Sequence, residues 1–231
     1  MLDVSDMDLV RDYVRHDSQP AFEVLVQRHI NMVYSAALRR VGNPAQAEEI
    51  AQAVFIILAR KAPRLRPGTV VGGWLYETVR LTSATFQRGE LRRLRREQEA
   101  CRQATLQESE DEPAWMQLAP LLEDAMAQLG ETDRNAVVLR FFENKSAREI
   151  AAVLDVREAA AQKRVNRAVE KLRSFFVHRG IAVSAGALAG AMSANSVHAA
   201  PAGLISSVIA AAALNGATAG TSTLTLIQGT L

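Results

Sequence analysis

No Asp, Glu, Lys or Arg occurs between Gly180 and the last residue, Leu231. Neither apolar run of that stretch, Ile181 to Met192 or Leu204 to Leu214, reaches the roughly 20 residues needed to cross a bilayer, which argues against a membrane anchor. Cysteine is nearly absent: Cys101 stands alone, so an internal disulfide is excluded. No basic-plus-apolar leader follows Met1, and the expected location is cytoplasmic. His16, His29, His178 and His198 are scattered without metal-ligand spacing, no phosphate-cradling glycine motif follows a strand, and Cys101 lacks an evident activating partner. No catalytic residue, metal ligand or cofactor is therefore expected.

Aromatic residues are also scarce, at 5%, while apolar residues as a whole make up 48% of the 231 positions. Ala, Leu, Arg and Glu dominate, all good helix formers, and the expected fold class is all-α. The net charge of +2 conceals a segregation. Residues 88–102 hold 6 Lys/Arg against 3 Asp/Glu, residues 103–133 hold none against 8, and residues 134–179 hold 11 against 5. Two basic blocks flank an acidic connector, and blocks of this kind neutralise phosphates locally even in a nearly neutral chain.

Leu9, Val10, Tyr13 and Val14 form a helical stripe, and Ser18-Gln19-Pro20 opens a second helix carrying Phe22, Leu25, Val26, Ile30 and Val33. Gly42 ends it. Asn43-Pro44-Ala45-Gln46 then supplies a capping side chain, a proline at the first helical position and Gln at the capping-box position, predicting a third helix to about Arg60. Pro63, Pro67, Gly68, Gly72 and Gly73 predict a loop, followed by a long helix from Trp74 to about Arg102. Residues 103–119, with Glu108, Glu110, Asp111, Glu112 and Pro113, read as an acidic linker. Periodicity resumes at Leu121 and, after a break at Gly130, restarts at Thr132.

The sharpest local signal follows. Ser146-Ala147-Arg148-Glu149 is a capping box opening a short helix, Asp155-Val156 is a turn, and a second helix runs from about Glu158 to Phe176. This is the spacing of a DNA-reading helix-turn-helix. At 100° per residue, Ala161, Val165, Ala168, Val169 and Leu172 share one side. Ala160, Lys163 and Arg167 lie opposite, bordered by Gln162 and Arg164. Small alanines beside cationic and amide side chains permit close approach to a groove. An ordinary helical hairpin with a solvated face shares this pattern; the basic excess separates the two.

Taken in order, these stretches resemble the sigma-70 family of RNA polymerase sigma factors in its small extracytoplasmic-function (ECF) form, over roughly residues 5–178. Asp8-Leu9-Val10 and Ala21-Phe22-Glu23-Val24-Leu25 resemble the opening of region 2, and the run from Gly42 to Gln52 with Phe55 resembles its polymerase-binding helix. Trp74-Leu75-Tyr76 and the following arginines resemble the helix that melts and reads the minus-ten element. Leu129, Arg134, Val138, Leu139, Arg140 and Phe141, with Glu149-Ile150-Ala151 and Arg164 to Ala168, resemble region 4.

The resemblance implies a division of the chain: region 2 at 5–102, linker at 103–119, region 4 at 120–178, and an extension at 179–231. It implies core-polymerase binding through Glu48, Glu49, Gln52 and Phe55. Minus-ten DNA would be met by Arg64, Arg66, Trp74, Arg80, Arg88, Arg92 and Arg93. Arg157, Ala160, Gln162, Lys163, Arg164 and Arg167 would meet the minus-thirty-five element. Core RNA polymerase and promoter DNA are the implied partners, with an anti-sigma factor a further candidate. Departures concern specificity: Ala53 stands where an acid is frequent, Leu81 for Asn, Thr85 for Asp, and Asp155 for a turn glycine. The tail resembles extensions of some long sigma factors that continue into a membrane segment; its expected contacts are its own domains or a membrane-associated partner, and its expected role is regulatory. The alternative function is a stand-alone helix-turn-helix regulator that reads DNA with residues 120–178 and uses its amino-terminal half to dimerise or sense a ligand.

Overall fold

The computed structural model describes residues 4–98 and 114–213, and among them every regular element is helical. The first unit comprises α1 (Asp6–His16), α2 (Gln19–Val41), α3 (Pro44–Lys61), a 3-10 turn (Ala62–Arg64) and α4 (Val71–Gln98). Its boundaries follow local chemistry. Ser18 caps α2 by accepting from Ala21 N, Gly42 leaves it with φ 67°, and Asn43 caps α3 by accepting from Gln46 N. Six consecutive residues of α3, Ala53 to Leu58, are all buried. A helix apolar on every side has to be covered on every side, and α2, α4 and a helix from the tail, α10 (Leu204–Ala213), do so.

Helix α4 begins at Val71, before the expected Trp74, so that Gly72 and Gly73 lie buried in its first turn rather than in a loop. The reason is a close approach from the second unit. A Cβ at Gly73 would overlap the Asn135 side chain, and one at Gly72 would overlap the Glu143 carboxylate.

The second unit contains α5 (Ala114–Ala127), α6 (Glu131–Val137), a π-helical turn (Val138–Phe142), α7 (Ala147–Val153) and α8 (Glu158–His178). Helix α5 opens inside the stretch expected to be linker. Leu118 is buried and Trp115 half-buried ahead of Pro120, whose missing N–H obscures the helix in the sequence. In the π turn Glu143 N donates to Val138 O at 3.0 Å, and this winding buries Leu139, Phe141 and Phe142 while Arg140 stays exposed. Cys101, the linker residues up to 113 and the tail beyond 213 lie outside the described residues.

The two units pack on each other through buried charge. Glu123 of α5 accepts from Arg39 Nε at 2.8 Å and from the Tyr76 hydroxyl at 2.7 Å, and Arg40 lies 3.1 Å away. Burial first, then the neighbouring Glu123 charge, pushes the Tyr76 phenol well above its ordinary range. Buried His29 sits between Asp6 at 2.9 Å and Glu143 at 3.7 Å. The tail follows with α9 (Ala185–Asn195) on α8 and α10 on α3 and α2. No described helix is long and apolar enough to cross a membrane.

Candidate functional site

Four surfaces carry the residues singled out in the sequence. On α3, Glu48, Glu49 and Gln52 are half-buried and share one face by their spacing. Phe55 is fully buried among the core residues. The loop after α3 exposes Arg64 and Arg66, and Thr69 closes a turn by donating its hydroxyl to Arg66 O at 2.8 Å. Gly68 takes φ 83°, a conformation open mainly to glycine. Trp74 is half-buried against the core at the start of α4.

Further along α4 the cations differ in circumstance. Arg80 is held by Glu77, with Nε at 3.0 and 3.1 Å from its two oxygens, and Glu77 also lies 3.5 Å from Arg134 of α6. Arg88 is exposed and donates to Thr85 Oγ1 at 3.2 Å. Arg92 and Arg93 fall on the last turns of α4.

The α7–α8 pair has the expected helix-turn-helix geometry. Ser146 Oγ accepts from Glu149 N at 3.3 Å, and the Glu149 carboxylate accepts from the Ser146 hydroxyl at 2.6 Å and from Ser146 N at 2.8 Å; these bonds, the hydroxyl's first, hold the carboxyl below its usual range. The turn places Asp155 at φ 49°, and Val156 N donates back to Ala151 O. Ala161, Val165, Ala168, Val169, Leu172 and Phe176 form the buried side of α8. Arg157, Ala160, Gln162 and Lys163 are exposed and Arg164 is half-buried. Gln162 donates to Asn166 at 2.8 Å.

Arg167 is exposed but engaged. It and Lys171 each lie 2.7 Å from Asp133, in the first turn of α6. Burial raises the Asp133 carboxyl, but the hydrogen bonds from Lys171 and Arg167 and their charges outweigh it and hold the group below its ordinary value. Arg167 thus clamps α6 to α8 in this conformation.

Residues that sequence reasoning passed over are those joining the units: Arg39, Glu123, Asn135, Glu143 and His29. The signal present in the sequence was weak. Glu123-Asp124 follow Leu121-Leu122 inside an apolar stripe, and Arg39-Arg40 end α2, yet 84 residues separate Arg39 from Glu123. Among the described residues no cluster of His, Cys, Asp and Glu suited to a metal ion occurs.

Comparison with known proteins agrees with this geometry. Residues 25–98 match Sigma-70 region 2, and residues 120–172 match Sigma-70, region 4. The RNA polymerase sigma factor CarQ of Myxococcus xanthus is 34% identical over 165 residues, covering 69% of this chain and 91% of CarQ. The ECF RNA polymerase sigma factor SigE of Mycolicibacterium smegmatis is 32% identical over 164 residues, covering 68% of this chain and 62% of SigE. A helical unit with a capped third helix, joined to a basic helix-turn-helix, is the build of a sigma factor, and the chain belongs to the sigma-70 family. Within that family it is of the ECF type, whose function is to direct RNA polymerase to promoters.

Proposed function

We propose that the four surfaces divide the work of promoter-directed initiation as follows. Core polymerase docks on the α3 face through Glu48, Glu49 and Gln52, with Phe55 supporting the helix from inside. The segment from Pro63 to Val70, ahead of α4, takes a minus-ten base flipped from the single strand, with Arg64 and Arg66 exposed to meet it and Trp74 backing the site. Stacking and cationic contact, on the order of 1–3 kcal/mol per base, offset the cost of unstacking. Arg88, Arg92 and Arg93 follow on α4 toward phosphates. Arg80 joins them on exchanging Glu77 for DNA.

The minus-thirty-five element is met by α8, and the observation that carries this reading is the helix's division into two faces. Its apolar side is buried while Arg157, Ala160, Gln162 and Lys163 face outward, with Arg164 at the border. A basic face with a small residue at its centre suits close approach to a major groove. Arg167 contributes a phosphate contact only on leaving Asp133.

The protein acts by binding, contributing no catalytic residue of its own, and works in the cytoplasm beside its polymerase. The regions divide at 5–102 and 120–178, with the start of α5 at Ala114 counted into the second, and the acidic segment ahead of it passes along the basic nucleic-acid path of the polymerase. An anti-sigma factor fits as a partner that holds the two regions together. The test is a reconstituted holoenzyme on a mapped promoter. Alanine at Arg64 and Arg66 abolishes open complexes while duplex binding persists, whereas alanine at Lys163 and Arg164 weakens the initial duplex complex. Unchanged promoter use in both variants contradicts the assignment.

A further inference from the structure

The tail is fitted to the rest of the chain by more than apolar packing. Asn31, Ser35 and Arg39 stand four residues apart on one face of α2. Together they satisfy the tail backbone that crosses it. Ala200 N donates to Asn31 Oδ1 at 2.9 Å, and His198 N donates to Ser35 Oγ at 2.7 Å. The Ser35 hydroxyl donates to His198 O at 3.2 Å, and Arg39 donates to Ser196 O at 2.5 Å. Ser35 is buried, so this ladder is a built feature of the interface.

Beyond the crossing, α10 lies on α3, with Gln52 Nε2 3.5 Å from Ser207 O. Ile56 stands one turn beyond Gln52 on the same face, flanked by Phe55, and both are fully buried. Val208 of α10 is fully buried too, and Ala211 and Ala212 nearly so. Ahead of the crossing, α9 lies along α8. A cleft of about 510 Å³ between them is lined by Gln162 and Asn166 on one side and by Ala185, Gly186 and Ala189 on the other. One segment therefore reaches both the α3 face and the helix of the DNA reader.

We infer that residues 181–213 are an autoinhibitory strap: they hold the two domains closed and cover the α3 face, so that core polymerase has to displace α10 in order to bind. The inference rests on the reading of α3 as the polymerase-binding helix. The closed arrangement is incompatible with promoter reading. Elements at minus ten and minus thirty-five lie some 25 base pairs apart, on the order of 85 Å along B-DNA, whereas Gly73 and Asn135 place the two DNA-reading units in contact. The segment between Gln98 and Ala114, fully extended, reaches about 50 Å, long enough for the units to part. If the strap leaves one molecule in ten open, the apparent affinity for polymerase falls about tenfold.

The test is affinity for purified core polymerase, measured on the full chain and on two full-length variants. Val208→Asp/Ala212→Asp puts charge into the α10 interface; Asn31→Ala/Ser35→Ala removes rungs of the ladder without touching α3. The expected result is binding about tenfold tighter for the first and a smaller gain for the second, with helical circular dichroism unchanged. If the first variant loses helicity, the second carries the test. Unchanged or weaker binding in the folded variants overturns the strap. Adding Glu48→Ala, Glu49→Ala and Gln52→Ala to whichever variant is folded separates the two levels. Loss of binding upholds the α3 reading even where the strap has failed, and retained binding overturns that reading and the strap with it.

Discussion

Arg39 Nε donates to Glu123 Oε1 at 2.8 Å across the boundary between the two domains, with both side chains buried. The same guanidinium lies 5.2 Å from the centre of the Phe142 ring and bonds Ser196 O of the tail, so one side chain of α2 touches region 4 and the extension together. Removing one partner of a buried pair leaves the other charge uncompensated, at a cost of about 3–5 kcal/mol. Water reaching the arginines by domain separation is the relief open to the chain. Glu123→Ala is accordingly expected to open the molecule: the radius of gyration from X-ray scattering increases while the helical signal stays unchanged. An unaltered radius contradicts this role.

Gly73 offers a steric counterpart. Alanine there meets the Asn135 side chain, so Gly73→Ala is expected to weaken the contact between α4 and α6. Asn135→Ala in the same chain makes room and restores it. Amide exchange across α6, read in the two single variants and the double, shows faster exchange in Gly73→Ala and recovery in the double variant. Additive effects mean that the two residues do not meet.

Asp155 occupies the turn of the helix-turn-helix at φ 49°, a region that costs a residue with a Cβ about 1 kcal/mol. Asp155→Gly is expected to relieve that cost, partly offset by the greater freedom of glycine in the unfolded chain. Thermal unfolding of the variant then shifts upward by at most a few degrees. A marked fall means that the Asp155 side chain supports the turn in some further way.

The acid limb of stability has an identifiable contributor. Burial raises the Asp6 carboxyl, but the hydrogen bonds and charges of His29 and Arg28 overcome it and bring the group down to about 2 from 3.8. A carboxyl depressed on folding adds stability above its unfolded pKa and loses it as pH falls through the folded one. The contribution, about 2 kcal/mol, is therefore present above about pH 4 and vanishes toward pH 2. Chemical denaturation of wild type and Asp6→Asn should differ in this window: the variant starts less stable and loses less on acidification. Parallel curves contradict the assignment.

What could be read from sequence was local. Ser18 with Pro20, Gly42 with Asn43 and Pro44, and Ser146 with Glu149 each act within three residues, so their caps are visible without knowing the fold. The buried side of α8 likewise follows from the period of one helix. Pro120 interrupts such a signal, and α5 begins earlier than periodicity suggests. Partnerships between distant segments were not legible. Nothing near Gly73 announces Asn135, and nothing near Ser35 announces His198. The candidate site divides in the same way. The exposure of Ala160 and Lys163 follows from helical spacing, whereas the engagement of Arg80 by Glu77 and of Arg167 by Asp133 depends on rotamers and packing that a wheel does not contain.

The most direct test of the account is transcription in vitro with core polymerase, pooled genomic promoters and an excess of this protein, beside a variant carrying Glu48→Ala, Glu49→Ala and Gln52→Ala. Discrete transcripts that require the intact protein and disappear with the variant are the predicted result, and their start sites identify the promoters. If core polymerase is neither bound nor redirected while duplex DNA is bound tightly by the protein alone, the α3 reading is contradicted and residues 120–178 work as a free-standing DNA reader.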